Sequence, residues 1–169
     1  MSDYRIREAR VDDCEEILRL IQELAEFEKM LKDCHMTVET LRKDGFGSNP
    51  LFRCLVVQSL NPDGSESSGL IGYCIFYYIY STWEGKCIYM EDLYVTPTSR
   101  HKGIGHATLK KLSQICVEEG CKRLQWAVLD WNSIAINFYN KSGAINLSEK
   151  EGWLCYRFDE DGLKAFAKN

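Results

Sequence analysis

The run Arg100-His101-Lys102-Gly103-Ile104-Gly105 sets formal positive charge around two glycines, between a strand-like segment and the start of an amphipathic one. A bend of this kind suits an anion. Glycine lets backbone approach a ligand closely, the first N–H groups of a helix have no partner within it, and the helix dipole adds partial positive charge. Arg100 and Lys102 supply whole charges. Familiar phosphate motifs do not fit: a P-loop spaces its glycines more widely and follows them with Lys and Ser/Thr, while a dinucleotide fingerprint needs a small residue where Thr108 stands. From these residues alone, a glycine-bearing turn into an ordinary helix is the competing reading.

The elements that must position such a bend can be read along the chain. Residues 3–8 alternate as a short strand, and Asp12 or Asp13 can cap a helix whose apolar positions Cys14, Ile17, Leu18, Ile21, Leu24 and Ala25 follow helical spacing. The next position on that stripe is Glu28. Either the helix end has emerged into solvent there, or the carboxylate lines a site. A shorter helix is expected from Thr37 to about Lys43, ended by Gly45-Phe46-Gly47. Residues 52–59 (FRCLVVQS) and 70–80 (LIGYCIFYYIY) are predicted strands, joined as a hairpin by a long mobile loop, NPDGSESSG. Another strand, KCIYMEDLYV at 86–95, closes at Thr96-Pro97, and a helix from about Gly103 to Glu118 puts Leu109, Leu112 and Cys116 on one face. The strand RLQWAVL follows, then a helix capped by Asn132 and stopped at Gly143, a strand at 153–158 and a short helix from about Glu160. This order predicts a mixed α/β fold, and residues 1–169 carry no internal repeat or linker, so one domain is expected.

Composition narrows the function. The chain has 169 residues, 45% apolar and 27% charged, near the average for a globular protein. A net charge of −4 with no concentrated basic face argues against nucleic acid and suits cationic partners better. Eight scattered cysteines show no Cys-x-x-Cys pair and no zinc-like His spacing, so they read as small hydrophobes in a reducing compartment, with no metal expected. The charged start MSDYRIREAR lacks a signal-peptide pattern, and no apolar run reaches the ~18 residues that cross a bilayer. A cytoplasmic protein without a membrane role is expected.

The Arg-x-x-Gly-x-Gly run resembles the coenzyme A pyrophosphate loop of the GNAT superfamily of N-acetyltransferases, whose element order also matches. Similarity extends along nearly the whole chain to the branch that holds the spermidine/spermine and thialysine Nε-acetyltransferases, through ILRLIQELAEFEK, DGFG-x-NP, YIYSTWEGK, IYMEDLYV, AVLDWN and EGW. The resemblance implies the acyl-CoA N-acyltransferase fold, a mixed central β-sheet flanked by helices, with acetyl-CoA as co-substrate. It implies that Leu93, Tyr94 and Val95 lie beside the pantetheine arm. Arg100, His101, Lys102, Gly103, Ile104, Gly105 and His106 would bind pyrophosphate, and Asn132, Ser133, Ile134, Ala135 and Tyr139 would flank the reactive end. His101 stands where relatives often carry glycine, and Lys102 where they vary; both are expected at unconstrained positions.

The chemistry implied is acetyl transfer to a small cationic amine. An amine with a reference pKa near 10.4 is almost wholly protonated at neutral pH, so the site must remove a proton. Glu91, at a strand end beside Asp92, is the candidate acceptor through a water, and Tyr139 the candidate to protonate or hold the departing thiolate. On residue type alone these are also a solvated acidic pair and a core aromatic. The resemblance places Phe27, Glu28, Glu91, Asp92, Gln125, Trp126, Ala127, Glu151 and Trp153 around the acceptor. Polyamine-specific relatives tend to carry an acid where Ser81 stands, which favours thialysine or another lysine analogue here, with spermidine or spermine as the alternative substrate. An acetyl-cysteine route is disfavoured because no cysteine has a histidine base nearby in sequence. A non-catalytic acyl-CoA-binding or protein-interaction module, acetylation of protein lysines, and a homodimer built partly from the C-terminal strands complete the expectations.

Overall fold

The computed structural model describes residues 3–168. The chain divides into two compact units, residues 1–127 and 128–169. In the first, β1 (Tyr4–Glu8) leads through a short 3-10 turn to α1 (Cys14–Phe27), followed by α2 (Val38–Phe46), β2 (Arg53–Leu60), β3 (Glu66–Ser81), β4 (Gly85–Val95), α3 (Ile104–Glu118) and β5 (Leu124–Gln125). The sheet runs in the order β1-β2-β3-β4-β5, antiparallel except where β5 lies parallel to β4. A helical crossover is what a parallel neighbour requires, and α3 supplies it.

Burial explains the strand sequences. Cys54 and Val56 on β2 with Tyr73 and Ile75 on β3 pack against Cys14, Ile17 and Leu20 of α1 and Leu41 of α2. Leu55, Val57, Cys74 and Phe76 alternate with them and are also buried, on the face that α3 covers with Leu109, Leu112 and Ile115. Helices on both faces turn β2 into an almost unbroken apolar run rather than an alternating one.

α1 begins with Asp13 at its cap position, but Asp13 makes no cap bond. Its carboxylate takes two bonds from Arg7 instead, at 2.7 and 2.9 Å. Thr37 caps α2 through Thr40 N–H, and that helix runs on through Gly45 to end at Gly47. β3 starts at Glu66, so the expected long loop is reduced to residues 61–65. Gln58 explains the difference: its amide donates to the carbonyls of Ser67 and Gly69, tying a polar stretch to β2. A polar network ties the sheet's other end. Arg53 on β2 bonds Glu8 of β1 and Glu119 after α3, and Glu119 also accepts from Tyr78 on β3 and Lys86 on β4.

The second unit holds α4 (Ser133–Lys141), α5 (Leu147–Glu151) and α6 (Glu160–Phe166). Asn132, Asn146 and Asp159 cap them, through Ala135, Ser148 and Gly162 N–H respectively. Toward the C-terminus the expected strands are not formed. RLQWAVL shrinks to Leu124–Gln125, and residues 153–158 are irregular rather than a strand. Alternation identifies a segment that is able to be a strand, but a strand exists only beside a neighbour that takes its hydrogen bonds.

Candidate active site

The β3–β4 register slips once. Ile75 stands opposite Asp92, whereas Phe76 stands opposite Met90, so Glu91 is an extra residue in β4. Successive strand side chains normally point to opposite faces, which would separate neighbouring acids. The bulge brings them to one face. Tyr73 and Tyr77, an even number of residues apart on an unbulged stretch of β3, each reach one of them: Tyr73 donates its hydroxyl to Asp92 Oδ2 at 2.9 Å, and Tyr77 donates to Glu91 Oε2 at 2.8 Å.

Electrostatics mark this patch as one that wants a cation. Burial pushes the Asp92 carboxyl up to about 6; the Tyr73 bond opposes that rise, and the charges of Glu91 and Glu28 add to it. Glu28, at the C-terminal cap of α1, is raised by burial as well. Three carboxylates thus act on one region. Burial, then the carboxylate each faces, holds the phenols of Tyr73 and Tyr77 above their ordinary range, so both remain donors. Gln125 pairs in register with Tyr89, whose ring lies 5.6 Å from that of Tyr77, and Trp126 and Ala127 continue from it. Ser81 carries no charge to this region, since its hydroxyl accepts from Trp83 and Glu84 N–H and closes the β3–β4 turn.

β4 then runs into the glycine-bearing bend. β5 pairs only with Ile88 and Tyr89, so among the described residues Leu93, Tyr94 and Val95 have a strand neighbour on the β3 side alone. Arg100 Nε donates to Val95 O at 3.0 Å, and its guanidinium lies over the rings of Phe27, at 5.4 Å, and Tyr94, at 5.6 Å. Gly103, with φ of 76°, is the N-cap of α3 and offers no side chain, leaving the first N–H groups of Ile104, Gly105 and His106 uncapped. Ile104 is buried and Thr108 bonds its carbonyl, which anchors the turn from below. These features fit an oxyanion of a diphosphate. Position 101 corrects an expectation: His101 has φ of 64°, left-handed backbone, so the site is constrained and glycine fits it for a steric reason.

In the second unit, Asn132 to Ala135 form the cap and first turn of α4, with Tyr139 further along, its ring 5.1 Å from Phe138. Glu151 and Trp153 meet across Gly152 through an indole N–H bond of 2.8 Å. Sequence reasoning passed over Tyr73 and Tyr77, because only a bulge invisible in the pattern pairs them with the two acids. Burial raises the thiols of Cys14, Cys54, Cys74, Cys116 and Cys121, that of Cys116 to about 11, which keeps them protonated. Among the described residues no cluster of His, Cys, Asp or Glu could hold a metal ion, and no helix is long and apolar enough to cross a membrane.

The family model described as the acetyltransferase (GNAT) family matches residues 15–144. Thialysine N-epsilon-acetyltransferase of Mus musculus is 46% identical over 168 residues, covering 99% of each chain. Spermidine/spermine N(1)-acetyltransferase-like protein 1 of Homo sapiens is 42% identical across 96% of this chain and 24% of its own length. Among solved structures, an integron cassette protein from the mobile metagenome of V.cholerae shares the fold, with a TM-score of 0.78 at 22% identity across 100% of both chains.

Proposed function

We infer that this chain, which belongs to the acetyltransferase (GNAT) family, moves an acetyl group from acetyl-CoA to the side-chain amine of thialysine or a closely related lysine analogue. The observation that carries the reading is β4 itself: it turns two consecutive carboxylates to one face and then leads directly into an uncapped, basic helix start. One end suits a cationic amine and the other a diphosphate. Relatives bearing the thialysine name match over almost their whole length, and the uncharged, turn-bound Ser81 withholds the extra acid that a longer polycation would use.

Glu91, its Oε2 held by Tyr77, accepts a proton from the ammonium through a water. The freed nitrogen attacks the thioester carbonyl, the carbon–sulfur bond breaks, and the Tyr139 hydroxyl supplies the proton that the departing thiolate takes. Glu28, Asp92 and Phe27 hold the amine, with Gln125, Trp126, Ala127, Glu151 and Trp153 completing the acceptor side. Leu93, Tyr94, Val95 and Arg100 to His106 hold the donor, along with Asn132 to Ala135. With its thiols protonated, the chain favours direct attack over an acetyl-cysteine. The reading extends to a single functional domain, a cytoplasmic location and a homodimer, the last supported by the apolar 153–158 segment and checked by sedimentation.

Steady-state kinetics with thialysine, lysine, spermidine and spermine side by side test the assignment. A specificity constant at least about tenfold higher for thialysine, equal to roughly 1.4 kcal/mol in transition-state binding, is the expected result. A preference for spermidine or spermine would overturn the substrate, and failure to bind coenzyme A in calorimetry would overturn the mechanism.

A further inference from the structure

Tyr73 is 0% exposed, packed in the apolar cluster between the sheet and α1, where a phenylalanine would fill the same space. A hydroxyl buried in such a place costs stability unless it has a partner. Its partner is a carboxylate rather than a backbone carbonyl: Asp92 Oδ2, at 2.9 Å. We propose that Tyr73 is a positioning residue for amine capture, its hydroxyl fixing the direction of the Asp92 carboxylate and giving the charged form of that group the hydrogen bond it needs. The inference rests on the reading that Asp92 faces the amine.

The surroundings make such a bond necessary. Glu91 on β4 and Glu28 at the end of α1 both bear on Asp92, and both are acids. The Tyr77 phenol on β3 and the thiols of Cys54 on β2 and Cys74 on β3 also feel its charge. Burial and acidic neighbours favour the neutral carboxyl, which cannot attract an ammonium. An ionised carboxylate only accepts hydrogen bonds, and the Tyr73 phenol, itself held protonated by its burial, only donates in this pairing. The tyrosine ring is in turn held 6.3 Å from that of Tyr94, whose hydroxyl bonds Glu23 of α1 at 3.1 Å, so the donor has little freedom to turn away.

The test compares the pH dependence of kcat/KM for the amine in the wild type and Tyr73→Phe. Losing the donor moves the Asp92 ionisation upward, so the wild-type to variant ratio should stay near one at about pH 8.5 and climb to about fivefold near pH 6 for a shift of one pH unit. Replacing Tyr73 with 3-fluorotyrosine, a stronger donor of the same shape, should move the acid limb to lower pH, and it decides the matter if Tyr73→Phe does not fold. A ratio that is flat across pH for both replacements would overturn the inference. Asp92→Asn separates this failure from that of the underlying reading. If Asp92→Asn raises the amine KM and removes the acid limb, Asp92 faces the amine whatever Tyr73 does; if the amine KM is unchanged, the reading of Asp92 falls, and the role of Tyr73 with it.

Discussion

His101 occupies left-handed backbone, which costs an L-residue roughly 1–2 kcal/mol, while glycine there would give back part of that gain as chain entropy. His101→Gly should therefore stabilise the protein by about 0.5–1 kcal/mol, read from the urea midpoint. Tyr139 makes a different prediction, on rate rather than stability. If its hydroxyl protonates the leaving thiolate, Tyr139→Phe should lower kcat by on the order of a hundredfold while changing the acetyl-CoA KM by less than about twofold. Equal turnover in the two proteins would remove the hydroxyl from the reaction. Arg100, His101, Gly103, Gly105, Glu91 and Asp92 were each legible from residue type and neighbours. The two tyrosines that hold the acids were not, because nothing in YCIFY distinguishes a core aromatic from one whose hydroxyl has work at the other end.

The helix start of α3 is where an element, rather than a side chain, would bind the donor. A Cβ built at Gly105 meets no atom within 4 Å, and the residue lies in the first turn with ordinary helical backbone. Gly105→Ala should thus raise stability by up to about 1 kcal/mol, because alanine is the better helix former. It should also raise the acetyl-CoA KM severalfold, since the added methyl stands over the N–H groups that meet the diphosphate. Thermal melts and kinetics moving in these opposite directions would identify the glycine as kept for access rather than for folding. Elements with a strong period, such as α1, α3 and β2, could be read with boundaries close to those observed. β3 begins earlier than its apolar run because the side chain of Gln58, not hydrophobicity, recruits Ser67 and Gly69. α5 was missed, as five residues between Asn146 and Gly152 are too few to show a helical period.

At the scale of the molecule, Glu119 joins regions of the chain that are distant in sequence. Hydrogen bonds from Tyr78, Lys86 and Arg53 outweigh its partial burial and hold its carboxyl down at about 2. A depressed acid stabilises the fold above its ordinary range, and that contribution is lost as pH falls from about 4.5 toward 2. Glu119→Gln should cost on the order of 1–2 kcal/mol at neutral pH, discounted for a side chain 27% exposed, and nothing near pH 2. Denaturation curves of the two proteins should converge on acidification; curves that stay parallel would show that the network adds no net stability. The slip in β4 carries a consequence of another kind. Because one surplus residue sets the parity of everything after it, removing any single position between Tyr89 and Asp92 would restore strict alternation and send one acid through to the α3 side. Evolutionary drift in this stretch is therefore free to exchange letters but not to change their number: the count of residues, as much as their identity, keeps a proton acceptor and a cation holder side by side.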